Sequence, residues 1–262
     1  MGDIIDLSQP DWCYMIGLFQ ADGHLRESSR NRGYLSLEIS SRDRTILEKI
    51  AEIVPLNTPI SDRIRDTNFS EGYESSEIRI FDMNFRRQLV ENGMIVGKKS
   101  DTISVPENVG HPVDYWRGWI DGDGSLGLTG GGYPFISLIT KSESIKSAYC
   151  DFLHDQLGVT KQVQRNSRDN CYNLMITREH AQFFISVLYY PECLCLDRKR
   201  QSATETLKWE RPEGMRRSAN NSRWTSEQDA IILNIPIEES CRLLGRSEKS
   251  VKTRLWRLKN VN

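Results

Sequence analysis

Tyr14-Met15-Ile16-Gly17-Leu18-Phe19-Gln20-Ala21-Asp22-Gly23 and Tyr115-Trp116-Arg117-Gly118-Trp119-Ile120-Asp121-Gly122-Asp123-Gly124 carry one pattern twice in a chain of 262 residues. Each runs Gly, a small residue four places on, then Asp and Gly. Positions four apart share a helix face, so Gly17 with Ala21, and Gly118 with Gly122, strip one face of each helix of bulk. Two such faces can meet backbone to backbone, by the steric logic of small-residue helix pairs in membranes. Parallel pairing would set Asp22 beside Asp123 at the helix C-termini, where the dipole is negative and two carboxylates repel. That arrangement is poor for stability and suited to a divalent cation.

The elements around each motif repeat as well. Ser8-Gln9-Pro10-Asp11 reads as a capping box that opens the first motif helix. Residues 24–27 and 33–41 alternate as a strand pair, 43–54 is helical with Ile46, Leu47, Ile50 and Ile53 on one face, 60–67 and 73–81 form a second hairpin, and 83–92 a helix. The second half follows the same order: strands 125–128 and 133–140 across Gly130-Gly131-Gly132, helix 142–157, hairpin 161–168 and 172–177 around Arg168-Asp169-Asn170, helix 178–189. A repeat of this length predicts a pseudo-dimer folded from one chain. The fold class is α+β: two pseudo-symmetric α-β-β-α-β-β-α halves, 1–105 and 106–209, each with a four-stranded antiparallel sheet backed by helices on one face. The two free faces would form a saddle.

Both motif segments resemble the defining motif of the LAGLIDADG homing endonucleases, in the single-chain form with two motifs. The resemblance covers residues 8–209. It departs at Gln20, where the first of two acids would stand, while the second copy keeps both as Asp121 and Asp123. In the family the metal ligand is the acid just before the final Gly, so Asp22 and Asp123 inherit that role and Gln20 is not disabling. The resemblance implies a monomeric, site-specific double-strand DNA endonuclease that leaves short 3′ overhangs. Its Mg²⁺ or Mn²⁺ would be held by Asp22 and Asp123 with the backbone of Ala21 and Gly122. Family members also place one basic residue per half near the metals. Lys99 and Lys199 are the candidates here. Lys98 is an alternative, because its spacing of 101 to Lys199 matches that of the two aspartates; a solvated charged loop competes with each. Relatives on this fold also act as intron RNA maturases or as non-cleaving DNA-binding regulators, and both readings stay open.

The free sheet faces carry residues able to read DNA. The first half offers Arg26, Ser28, Arg30, Asn31, Arg32, Arg63, Arg65 and Arg79, and the second Gln162, Gln164, Arg165, Asn166, Arg168, Asn170 and Asn173. Arg recognises guanine and Asn or Gln adenine in the major groove, where a β-ribbon fits. Singly, each is equally an ordinary solvated strand residue.

The overall net charge of −1 hides an asymmetry: residues 197–262 hold 15 Lys/Arg against 9 Asp/Glu, the remainder 20 against 27. A basic tail favours phosphates. Residues 210–222 read as a linker. Within 223–262, a capped start at Thr225 or Ser226, a turn at Gly245 and a basic last helix resemble a Myb/SANT-like helix-turn-helix. Val251, Leu255 and Leu258 would face inward, with Lys249, Lys252, Thr253, Arg254 and Arg257 outward. Arg246-Ser247 would place a cation and helix N-terminal amides at a phosphate. A protein-interaction module is the competing reading.

No apolar run approaches the ~20 residues of a membrane span. The acidic N-terminus lacks a signal-peptide start, and six cysteines without C-x-x-C spacing point to a reducing compartment, the cytoplasm of a bacterium or phage host or an organelle matrix. The chain starts at Met without Cys or Ser, and has no terminal His-Asn, so an intron-encoded or free-standing protein is expected rather than an intein.

Overall fold

The structure is a computed structural model that describes residues 3–66, 71–213, 215 and 224–260. Thr67, at the end of one predicted strand, Arg223 and most of the predicted linker 210–222 lie outside the described residues. The chain divides into two compact units, Met1–Glu210 and Arg211–Asn262.

At the centre of the first unit lie the motif helices, α1 (Pro10–Ala21) and α4 (Pro112–Asp123). Trp12 through Gln20 are all buried, so α1 is enclosed on every side. An ideal Cβ on Gly17 would sit 2.2 Å from the Tyr115 carbonyl oxygen, and one on Gly118 would sit 2.2 Å from that of Tyr14. The glycines therefore permit the backbone-to-backbone approach expected from their spacing. The capping box does not form: Gln9 is the N-cap and uses no side chain, while the Ser8 hydroxyl turns back to Asp6. Proline at the first helical position supplies the start instead.

In the first half, α1 leads to β1 (His24–Glu27), β2 (Gly33–Ser40), a 3-10 turn (Ser41–Asp43), α2 (Thr45–Ile53), β3 (Ile60–Arg65), β4 (Tyr73–Ile80) and α3 (Met83–Glu91). The strands form one antiparallel sheet in the order β1-β2-β4-β3. Leu25, Leu35, Leu37, Ile78 and Ile80 are buried on its inner face, in one core with Ile46, Leu47 and Ile50 of α2 and Phe85 and Leu89 of α3. Alternation along each strand sends the intervening residues to the opposite face.

The second half departs from the predicted repeat. After β5 (Gly124–Leu128), β6 (Pro134–Thr140) and α5 (Glu143–Leu157), the chain reaches β7 (Tyr172–Thr177) without the predicted strand at 161–168, and α6 (Arg178–Leu188) follows. The sheet is three-stranded, β5-β6-β7. Residues 161–168 stay beside β7 through one backbone bond, the Asn166 amide to the Cys171 carbonyl at 2.8 Å, and through side chains: Lys161 Nζ donates to the Met175 carbonyl at 2.9 Å, and Arg165 stacks on the Tyr172 ring while its Nε donates to the Tyr172 hydroxyl. These contacts hold the segment where a strand ladder was expected. A further helix, α7 (Asp197–Leu207), opens within the basic stretch expected as a loop.

The second unit holds α8 (Ser226–Asn234), α9 (Ile237–Leu244) and α10 (Glu248–Asn260). Thr225 caps α8 through the Gln228 amide, and Gly245, with φ 60°, ends α9 in the left-handed conformation that glycine tolerates best. Val251 is fully buried. No helix among the described residues is long and apolar enough to cross a membrane.

Candidate active site and nucleic-acid interface

The parallel packing of α1 and α4 brings their C-terminal ends together. Asp22 caps α1 and Asp123 is the last residue of α4. A Cβ on Gly122 would lie 2.5 Å from the Ala21 Cβ and 3.2 Å from Asp22 Oδ2, so bulk at either small position would push the two ends apart. Each carboxylate is open to solvent on one side. Burial on the other raises Asp22 above its ordinary value, against the pull of Lys99, Lys199 and Arg198. Burial and the Asp22 charge push Asp123 up to about 6, with Lys99 opposing.

Lys99 and Lys199 occupy equivalent places. Lys199 Nζ donates to the carbonyls of Ile120, at 3.0 Å, and Gly124, at 2.6 Å. Lys99 Nζ donates to those of Phe19 and Gly23. Each ammonium therefore sits at the negative end of its own motif helix, donating to its terminal carbonyls; that of Ile120 also accepts the Gly124 amide. Burial lowers Lys99, and pushes Lys199 down to about 8. Lys98 is exposed and makes neither contact, so the structure brings Lys99 to the site and not Lys98. The equal spacing of Lys98 misleads because the two lysines sit 100 residues apart, one fewer than the aspartates.

A divalent cation fits this donor set. Attractions of charge reach both carboxylates, but among the described residues no hydrogen bond or ion pair occupies their oxygens. Two acceptor-only carboxylates beside the last helix carbonyls, those of Ala21 and Gly122 among them, are hard oxygen ligands. Magnesium is held by one or two carboxylates together with waters and substrate phosphate oxygens. No cluster of three or more His, Cys, Asp or Glu that could bind a metal occurs among the described residues, so water and substrate would complete the sphere.

Arg198, which the sequence did not single out, also lies beside Asp22. Its Nε donates to buried Asp43 at 2.7 Å, and both residues line a cavity with Asp22, Ser40 and Arg42. The neighbouring Asp197 receives Thr45 Oγ1 at 2.8 Å and Lys49 Nζ at 3.1 Å, docking the start of α7 on α2. A second cavity, lined by Lys99, Ser100, Thr140 and Lys141, holds Asp123.

On the first sheet, Arg26, Arg63, Arg65 and Arg79 share the face turned away from the helices. Three are braced: Glu77 takes Arg63 at 2.6 Å and Arg79 at 2.8 Å, and Glu38 takes Arg65 at 2.7 Å. Ser28, Arg30, Asn31 and Arg32 form the exposed β1–β2 turn, in which Arg30 and Asn31 adopt φ of 59° and 56°. Buried Arg86 holds that turn through the Asn31 carbonyl at 2.8 Å.

In the second half Asn173 alone of the predicted set lies on a strand and faces outward. Gln162, Gln164, Asn166, Arg168 and Asn170 are exposed but off the sheet, and Arg165 is engaged on Tyr172 and the Asn170 carbonyl. The second unit also redirects two cations. Arg254, predicted outward, is clamped by both Asp229 oxygens at 2.8 and 2.6 Å. Arg246 stacks on Trp224 and donates to Gln228. Lys249, Thr253 and Arg257 remain exposed on α10 with Lys252, which pairs with Glu248, and Ser247 caps the helix through the Ser250 amide.

Paired motif helices that end in adjacent carboxylates, each followed by an antiparallel sheet, define a two-motif LAGLIDADG architecture. The chain belongs to the LAGLIDADG-like domain family, whose profile matches residues 13–92 and again 111–188. Among solved structures it is similar to the homing endonuclease I-WcaI bound to its DNA recognition sequence, at 13% identity over 77% of this chain and 88% of that one, with a TM-score of 0.54. It is also similar to a variant of the homing endonuclease I-DmoI (12% identity, 71% and 94% covered, TM-score 0.47) and to the N-terminal LAGLIDADG domain of DUF199/WhiA (12%, 73% and 84%, TM-score 0.45). Likeness at this identity is a likeness of fold. No curated protein sequence matches the chain significantly.

Proposed function

We propose that this chain is a site-specific double-strand DNA endonuclease that acts as a monomer, with both halves of the active centre on one polypeptide. The observation that carries the reading is the pair of adjacent, unpartnered carboxylates, Asp22 and Asp123, at the ends of two parallel helices. Asp22 and Asp123 would hold Mg²⁺ or Mn²⁺, with the Ala21 and Gly122 carbonyls beside them. A bound divalent ion supplies an acidified water, neutralises phosphate charge and stabilises a leaving oxygen. Lys99 and Lys199 hold the helix ends in register and set positive charge where a pentacoordinate phosphate would develop. The arginine face of the first sheet grips the duplex. Exposed Lys249, Arg257 and the start of α10 add phosphate contacts from the helix-turn-helix unit.

Duplexes captured by the full-length protein from a randomised library test this directly. Incubation with Mg²⁺ should yield double-strand breaks with short 3′ overhangs, and chelator should abolish them. Captured duplexes that stay intact with Mg²⁺ and with Mn²⁺ would instead favour a non-cleaving regulator. Splicing of a group I intron transcript that requires the protein would favour a maturase.

A further inference from the structure

The two sheets follow equivalent motif helices, yet their outer faces differ in chemistry. On the first sheet the outward positions of β1, β3 and β4 include Arg26, Arg63, Arg65 and Arg79, buttressed by Glu38 and Glu77. Each buttressed guanidinium is fixed through one terminal nitrogen, and a fixed fork is what bidentate recognition of the guanine O6 and N7 edge needs. On the second sheet the register turns Phe135 and Ile139 of β6, and Asn173, Met175 and Thr177 of β7, away from the core, with Ser137 on the same face but buried. None is charged. Ile139 is 47% exposed and Met175 37% exposed, although apolar side chains at a water-facing strand position lose solvation energy by standing there.

We infer that the second sheet reads thymine methyl groups, so that the target is compositionally asymmetric: guanine contacts under the first half, thymine-rich sequence under the second. The inference rests on the endonuclease reading for the presence of a duplex, but concerns only which bases each half takes. Three observations support it. First, Ile139 lines the same cavity as Asp123, and the register carries the apolar row outward from there through Met175 to Phe135. A duplex whose phosphate reached Asp123 would continue over this row. Second, in the major groove the thymine C5-methyl is the apolar feature that distinguishes a base pair, and it is met by apolar side chains. Third, the polar residues expected to read bases in this half lie off the sheet, on a segment fixed by Lys161 and Arg165. Asn173, beside Ile139 in the register, is the adenine-reading complement to a thymine-rich strand.

The test uses the full-length protein and a library of DNA duplexes randomised on both sides of a fixed centre, sequenced after capture. Thymine should be enriched on one side and guanine on the other. In a captured duplex, replacing thymine by deoxyuridine removes only the methyl group. On the thymine-rich side this should weaken binding by roughly fourfold per contacted base, the cost of leaving one methyl-sized group unburied. The same replacement on the other side should leave affinity unchanged. Ile139→Ser and Met175→Ser, both surface changes, should make binding insensitive to deoxyuridine at the matching positions and leave the guanine preference intact. Equal base preferences on the two sides, or indifference to deoxyuridine, would overturn the inference while leaving the nuclease reading standing. Enrichment of no duplex at all would overturn both.

Discussion

Tyr14 on the first motif helix donates a hydrogen bond to Asp121 Oδ2 on the second at 2.8 Å. The mirror position repeats the bond, Tyr115 to Gln20 Oε1, at 2.5 Å. The first acid position of each motif therefore belongs to the helix interface, and the two halves fill it by different logic. Asp121 also accepts from the Tyr189 hydroxyl at 2.6 Å and from the Leu196 amide at 2.7 Å, so three donors converge on it. Gln20 instead faces the carbonyls of Gly93 and Ser104 and needs an amide to donate to them. Asp121→Ala should strand three buried donors at about 1–3 kcal/mol each. A urea-denaturation midpoint well below wild type is expected for Asp121→Ala, with a smaller drop for Asp121→Asn, which keeps one acceptor oxygen. An unchanged midpoint for the alanine variant would contradict this role.

The helix seam gives the next expectation. Since a Cβ at Gly17 or Gly118 lands 2.2 Å from a backbone carbonyl oxygen of the facing helix, even alanine must spread the pair. Overpacking of this kind costs ~1–3 kcal/mol, and leucine should cost more. Thermal melts should show Tm lowered by several degrees. Activity should fall further than stability, because the spreading separates Asp22 from Asp123. Wild-type melting and cleavage in Gly17→Leu would show that α1 and α4 do not meet through this face.

These two regions mark where sequence is a good guide and where it is not. Gly17, Ala21, Gly118 and Gly122 were legible because only close backbone approach explains small residues at that spacing. Strand periodicity likewise placed the seven strands found among the described residues. Residues 161–168 carry one apolar residue, Val163, too little to bury a strand face, and they lie beside β7 without a ladder, held by Lys161, Arg165 and one backbone bond. Arg254 was legible as a cation on the basic last helix and Arg246 as one just before it, but Asp229 and Trp224, which hold them, are distant in sequence. The place of Arg198 beside Asp22 becomes visible only when α7 meets Asp43, 155 residues earlier.

Charge at the site sets a pH and metal dependence. Folding raises Asp123 from 3.8 to about 6, so between those values the folded state holds a proton that the unfolded chain has released. Stability contributed by this group is present at low pH and lost as pH rises through about 6. Asp123→Asn should therefore melt above wild type at pH 8 in chelator, with the gap closing towards pH 4. Lys199 runs the other way: held at about 8 against 10.5 unfolded, it costs stability at neutral pH, and that cost fades as pH rises above 8. Added Mg²⁺ should raise the Tm of wild type but not that of Asp22→Asn. Melts over pH 4–9 with and without Mg²⁺ check both signs.

Removing Arg211–Asn262 deletes one compact unit and leaves both motif aspartates, both capping lysines and both sheets. Cleavage chemistry should survive, with weaker binding. The log–log salt slope should flatten by about one unit per lost phosphate contact. The protected region should shorten at one end, because the first repeat is followed by no such unit. Identical footprints and salt slopes for the full and shortened chains would assign this unit to protein contacts instead.

Strand-resolved cleavage by Asp22→Asn and Asp123→Asn is the most direct measurement of all. It should use a captured duplex labelled on both strands, saturating protein and Mg²⁺. Both carboxylates sit at one junction of two helix ends, so each variant should bind the duplex as wild type does and yet fail to produce the double-strand break. Full cleavage of both strands by both variants would remove Asp22 and Asp123 from the chemistry.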